Sequence, residues 1–355
     1  MSEPLPPDKP PAAAEVPAPL GRANASRQWL RRHEDRLWWL HSAWALAFGI
    51  GVMWLGARDF RYLRLAFSQV AFIWVTSLLL PHVARRARLG PAALGRVRLV
   101  LNYFHKNFYQ QVLFFVLPVY WASVTPSSLN VLFVGLVACS AVLSTFDVVY
   151  DRHVSARAEL ASVFFGFNLF VCANVALPVL WAVSNAAAMR LAALLAVVGF
   201  ATIRFAPAEL RRRDVLAALV LIAVVLGGLL EWGRRLVPPA PLRLADTSFG
   251  TAVDRRTLTL AGPLTTVPAG WSGTLHVLTA IKAPLGLKDR VRHRWTVDAT
   301  EVRVSPYYVV AGGRGPGFRL WTALPVHQAP PHATIQVDVE TEGGQLIGRA
   351  RVKVE

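Results

Sequence analysis

RRRDVLAALVLIAVVLGGLLEWGRRLVPPAPL, residues Arg211–Leu242, divides the chain in two. Three arginines precede the apolar run Val215–Leu230. Glu231, Trp232, Arg234 and Arg235 follow it, and then come Pro238 and Pro239. An apolar helix of that length, with charge and an aromatic at its ends, reads as a membrane span. Upstream lie further apolar runs; downstream, alternating strand patterns with Gly and Pro turns. The helix therefore separates a helical membrane domain from a water-soluble one, and its direction decides on which side the soluble domain sits.

Four regions follow. Residues 1–26 hold seven prolines by position 19 and no apolar core, which predicts a disordered Pro/Ala-rich tail; no apolar segment follows a basic start, so it is not read as a signal peptide. Residues 27–235 form the helical membrane domain, 236–244 a Pro-rich linker and 245–355 the soluble domain. Trp29, Trp38 and Trp39 stand among arginines, as suits the headgroup layer. The apolar runs predict about seven spans, at 37–56, 65–83, 107–123, 129–146, 160–183, 188–204 and 215–232. Pro118 and Pro178 predict kinks in the third and fifth. Gln110 and Gln111 stand at the start of the third, where interhelical hydrogen bonds account for amides at membrane depth.

Charge tests that order. The 355 residues carry a formal net charge of +17, and 54% are hydrophobic; the mean hydropathy of +0.40 is too high for an ordinary soluble protein. The arginines gather at the ends of apolar runs, so the positive-inside bias explains them and nucleic acid is not the expected partner. Along alternate connections one side carries eighteen Lys and Arg, from Lys9 to Arg213, and the other carries four: Arg58, Arg61, Arg64 and Arg190. That asymmetry predicts a cytoplasmic N-terminus and, after seven crossings, a periplasmic soluble domain. Cys139 and Cys172 both fall inside apolar runs and supply neither a disulfide framework nor a metal site.

In the soluble domain, TIQVDVET and LIGRARVKV alternate strictly across Gly343-Gly344, a hairpin signal. With TLHVLTAI, DRVRHRW, the run from Glu301 to Val310 and GFRLWTALP, six to eight short strands predict an all-β, Ig-like two-sheet sandwich. In DRVRHRW, Arg290, Arg292 and Arg294 share one face, opposite Val291, His293 and Trp295. The last strand repeats the pattern with Arg349, Arg351 and Lys353. Two basic stripes suit an anionic glycan, a lipid headgroup or an acidic protein partner; alternatively they pair with Asp338 and Glu340 of the neighbouring strand. The loop GGRGPGF, Gly312–Phe318, is followed by a strand and not by a helix N-terminus, so it reads as a flexible turn presenting Arg314 and not as a phosphate cradle. His276 and His293 lack a third ligand, and no metal is expected. In the helical domain, Asp147, Asp151 and His153 of STFDVVYDRHV could form an acid/base or metal group at the cytoplasmic surface, although capping and loop pairing with Arg152 or Arg157 is the favoured account.

FYQQVLFFVLPVYW, STFDVVYDRHV and VPPAPL, with TAIKAPLGLKDRVRHRW, GGRGPGFRLWT and GQLIGRARVKV, resemble an uncharacterised family of bacterial multi-span inner-membrane proteins with a C-terminal soluble β domain of unknown function. The resemblance implies a Gram-negative inner-membrane protein and brings no reaction and no cofactor. The expected function is non-enzymatic: a membrane domain in contact with lipid displays a periplasmic sandwich that binds an envelope component or protein through Arg290, Arg292, Arg294, Arg314 and Trp321. A membrane enzyme acting on a lipid-linked substrate through Asp147, Asp151 and His153 is one alternative. A sensor or assembly factor is another.

Overall fold

The computed structural model describes residues 40, 43–44, 46–51, 68–69, 71–72, 74–76, 79, 83 and 90–355. Within the continuously described residues 90–355, five long helices precede the strands: α1 (Pro91–Ala122), α2 (Asn130–Thr145), α3 (Ala158–Trp181), α4 (Asn185–Arg204) and α5 (Arg213–Gly233). Proline opens α1 at a position whose N–H has no helical partner, and the Ser184 hydroxyl accepts from Ala187 N–H to cap α4. Small residues let α3 and α4 approach closely. A Cβ on Gly166 would stand 2.9 Å from the Ala196 carbonyl oxygen, and Ala188, Ala192 and Ala196 are buried beside it. Buried polar groups are tied across helices: Asn174 donates to the Tyr120 hydroxyl, which donates to the Val171 carbonyl, and the Gln69 amide donates to Gln111 at 2.6 Å.

The expectation of about seven spans is corrected here. Among the described residues three helices are long and apolar enough to cross a membrane: Ala158–Trp181, Asn185–Arg204 and Arg213–Leu236. The physical reason is that an apolar run is not a helix length. The run at 129–146 folds into a helix of 16 residues, about 24 Å long against a hydrocarbon layer of about 30 Å. The run at 107–123 is the second half of α1, whose first half carries Arg96, Arg98 and Lys106. The expected spans at 37–56 and 65–83 lie largely outside the described residues.

Ten strands, more than the six to eight expected, form two sheets: β1 (Arg243–Asp254), β2 (Thr259–Leu264), β3 (Thr266–Val267), β4 (Gly273–Lys282), β5 (Lys288–Val297), β6 (Thr300–Val304), β7 (Tyr308–Ala311), β8 (Phe318–Val326), β9 (Thr334–Thr341) and β10 (Leu346–Val354). One sheet runs β2-β1-β4-β8; the other runs β3-β10-β9-β5-β6, with β7 also paired to β5. All ladders are antiparallel except β3 with β10. Phe249, Val277 and Leu324 of the first sheet meet Trp295, Val337 and Val352 of the second in one buried cluster. That contact makes the C-terminal part a two-layer sandwich.

The sandwich is seated on one end of the helices. Asp289 of β5 is buried and accepts from the backbone N–H of Asn185, the first residue of α4, at 3.0 Å. A carboxylate at a helix N-terminus satisfies an orphan donor and opposes the helix dipole. Burial raises the Asp289 pKa, while the N–H groups of Asn185 and Arg290 work against the rise. Arg349 of β10 donates to the carbonyl and hydroxyl of Ser127 between α1 and α2, and Gln345 donates to the Val237 carbonyl after α5. The ends of α1, α3 and α5 and the starts of α2 and α4 therefore all face the sandwich. Trp121, Trp181 and Trp232 stand at that level, 62%, 57% and 85% exposed. Arg152, Arg157, Arg204, Arg211, Arg212 and Arg213 stand at the other.

Candidate functional site

Alternation along β5 points Arg290, Arg292 and Arg294 outward and buries Val291, His293 and Trp295. Outside, β9 lies alongside with its carboxylates in register, Arg292 opposite Glu340 and Arg294 opposite Asp338. Arg290 binds Glu342 at 2.8 Å, and Arg292 and Arg294 share Glu340 at 3.3 and 3.0 Å. Arg294 also reaches Glu301 at 3.5 Å. On the other side of β9, Arg349 grips Asp338 through Nε and Nη2 at 2.6 and 2.8 Å, and this hydrogen bonding raises the Arg349 pKa. The three arginines of β5 are thus committed to carboxylates of the same face.

The inner face of β5 carries a closed polar network. The Thr279 hydroxyl donates to the Leu320 carbonyl, so its oxygen accepts from His293 Nε2–H at 3.0 Å. Trp295 Nε1–H donates to Thr322 Oγ1, whose own hydrogen goes to His293 Nδ1 at 2.9 Å. The donors assign His293 as the neutral Nε2–H tautomer. Burial pushes its pKa down to about 3. A second proton on Nδ1 would meet an oxygen that already accepts from Trp295 and leave the Thr322 hydroxyl without an acceptor. His276 lies on the opposite side of its sheet, against Trp321, so the two histidines share no ligand position.

Trp321 lies elsewhere. β8 is an edge strand of the smaller sheet, and β6 and β7 form the facing edge of the larger one. The seam between them holds a groove of about 510 Å³ lined by Arg303, Tyr308, Val309, Phe318, Arg319 and Trp321, among others. Arg255 lies over the Trp321 ring at 5.4 Å, and Arg314 over the Phe318 ring at 4.9 Å. Arg319 donates to the carbonyls of Thr257 and Leu258 at 3.2 and 3.0 Å. Among the described residues none of Arg255, Arg303, Arg314 and Arg319 forms an ion pair with a carboxylate. Aromatic faces beside guanidinium groups that pair with no carboxylate suit a flat or sugar-like ligand bearing negative charge.

The structure thus brings Trp321 to the groove, sets Arg314 beside it over Phe318, and leaves Arg290, Arg292 and Arg294 on the outer face of the other sheet. Arg303, Arg319 and Tyr308 line the groove, and Arg255 lies against its Trp321, without having been singled out from the sequence. Arg303 and Arg319 stand on strands far apart in the chain, and only sheet order brings them together. Asp151 and His153 lie on one wide helical turn, Asp151–Ser155, between α2 and α3. Both are exposed, and His153 Nδ1 bonds the Val149 carbonyl at 3.1 Å. The Asp147 side chain lies outside the described set. Among the described residues no three His, Cys, Asp or Glu side chains stand close enough to hold a metal ion.

No curated protein matches the chain. Among solved structures it is similar to the Pseudomonas fluorescens alkylpurine DNA glycosylase AlkC bound to DNA containing an abasic site analog, at 11% identity over 79% of this chain and 77% of that one, with a TM-score of 0.23. A family model does match, over residues 22–269, a range that takes in the five helices named above and the first three strands. The chain belongs to that family, a family of unknown function, DUF5924.

Proposed function

We propose that the helical part is embedded in a bacterial inner membrane and holds the sandwich on the periplasmic side, where the seam groove binds an anionic envelope component. The membrane reading draws support from the apolar surface of α5, where Val220, Leu221, Val224 and Leu229 are each about 60% exposed. A surface like that is expected against lipid and not against water. Tryptophans at the sandwich ends of α1, α3 and α5 fit an interfacial belt, and arginines at the other ends fit the positive-inside bias.

One observation carries the binding reading: among the described residues the arginines at the groove pair with no carboxylate, whereas those on the outer face of β5 are paired. A ligand at β5 would have to displace acids already in place; a ligand at the seam would not. The test is calorimetric titration of the full chain in nanodiscs with a phosphorylated glucosamine disaccharide, an acidic muropeptide and an acidic peptide. One of the three binds and weakens with salt. Trp321→Ala abolishes that binding, and Arg303→Gln lowers it roughly tenfold, the worth of one charge-assisted contact. Arg292→Gln, on the paired face, changes it little. Equal losses in Arg292→Gln and Arg303→Gln, or no binding of any of the three, would overturn the assignment.

A further inference from the structure

Beneath the sandwich, α2, α3, α4 and α5 border a cleft of about 470 Å³ whose lining, among the described residues, is all apolar. Phe167, Phe170 and Phe200 form its wall, Gly166 and Ala196 its floor, and Leu226 and Leu230 of α5 its outer rim. The floor is low because Gly166 has no Cβ and lies directly against the Ala196 carbonyl. The rim stands off the other helices because α5 packs loosely. Its most apolar window is 6% buried, against 67% for α3.

Water does not fill a cavity that offers it no partners, and an empty slot forfeits the dispersion contacts of its walls. A single hydrocarbon chain is narrow enough to lie between α5 and the other helices with its methylenes against this aromatic and aliphatic lining. The charge at the rim selects further. Leu230 adjoins Glu231, whose carboxylate is held by Arg190 of α4 at 2.6 Å and by Arg234 at 3.1 Å. Two guanidinium groups share one carboxylate, so positive charge is left over where the cleft reaches the level of the tryptophans.

We propose that this cleft holds one acyl chain of an anionic phospholipid from the sandwich-side leaflet, with the lipid phosphate against Arg190 and Arg234. The proposal rests on the membrane-embedded reading above and is independent of what the seam groove binds. A lipid seated there fills the gap between α5 and its neighbours and couples α5, which leads directly into the sandwich, to the composition of that leaflet.

The test places the full chain in phosphatidylcholine nanodiscs doped with phosphatidylglycerol that carries a photoreactive diazirine on one acyl chain. Labelled residues are mapped by mass spectrometry. Labelling within 163–170, 196–200 and 222–230 that excess unlabelled phosphatidylglycerol competes away, and phosphatidylcholine competes away less well, is the expected result. Leu226→Trp fills the cleft from the loosely packed helix and removes the competable label. Arg190→Gln keeps the label but lowers the preference for phosphatidylglycerol roughly fivefold. Labelling spread over Leu132, Val220 and the cleft alike, with no competition, overturns the proposal, as does competable label that survives Leu226→Trp. A chain that fails to stay in the nanodiscs counts against the membrane reading instead.

Discussion

Lowering the pH from about 6.5 towards 3 destabilises the sandwich, and replacing His293 by glutamine flattens that dependence. The folded protein holds His293 neutral, with its pKa pushed down to about 3, whereas an unfolded histidine titrates near 6.5. Above pH 6.5 both states are neutral and the group contributes no pH dependence. Below it the unfolded chain binds a proton that the folded chain refuses, so stability falls by up to about 1.4 kcal/mol per unit until the folded pKa is reached. Across that window the loss is roughly 4–5 kcal/mol, a large share of an ordinary domain's stability. Glutamine can still donate to Thr279 and accept from Thr322, but it takes no proton. Thermal melts of the full chain in nanodiscs at pH 7, 6 and 5, read by near-ultraviolet dichroism, measure the slope. An unchanged slope in His293→Gln would remove His293 as its source.

Gly312→Ala should be the costliest single methyl group in the sandwich. The Cβ it adds would collide with the Pro284 carbonyl oxygen, which is backbone and cannot swing aside. The segment around Pro284 is itself pinned: Gly312 N–H donates to Leu287 and Gly313 N–H to Ala283. Relief requires moving both strands' ends, an overpacking cost of about 3 kcal/mol or more. Gly315, three residues on, has open space at its Cβ, and Gly315→Ala should stay within about 0.5 kcal/mol of wild type. Denaturant melts of the two variants decide the matter, since equal midpoints would restore the flexible turn suggested by GGRGPGF. The same loop holds Arg314 over Phe318, so Gly312→Ala should also weaken ligand binding in the seam groove.

How much could be read from the sequence differs between the two parts. The runs at 160–183, 188–204 and 215–232 are long, apolar stretches, and the structure has helices there. The number of crossings was not readable, because hydropathy marks apolar stretches and not the helix each belongs to; Val112–Ala122 is apolar only as the second half of a helix that begins at Pro91. Strand alternation in DRVRHRW assigned Arg290 to Trp295 to their faces, since period two leaves no choice there. It could not reveal that β6–β7 and β8 become facing edges, or that Asp289 meets the start of α4, 104 residues earlier. Contacts of that range follow from sheet order and from how the sandwich is seated, and no local pattern encodes either.

The account depends most on the sandwich and the arginine-rich helix ends lying on opposite sides of a membrane. Single cysteines at Arg303, in the groove, and at Arg212, between α4 and α5, test this directly in a chain whose Cys139 and Cys172 are changed to serine. Bacterial spheroplasts are treated with a membrane-impermeant maleimide before and after permeabilisation. The account predicts that Arg303→Cys is labelled in intact spheroplasts and Arg212→Cys only once the membrane is opened. Labelling of both before opening, or of Arg212→Cys alone, would contradict it.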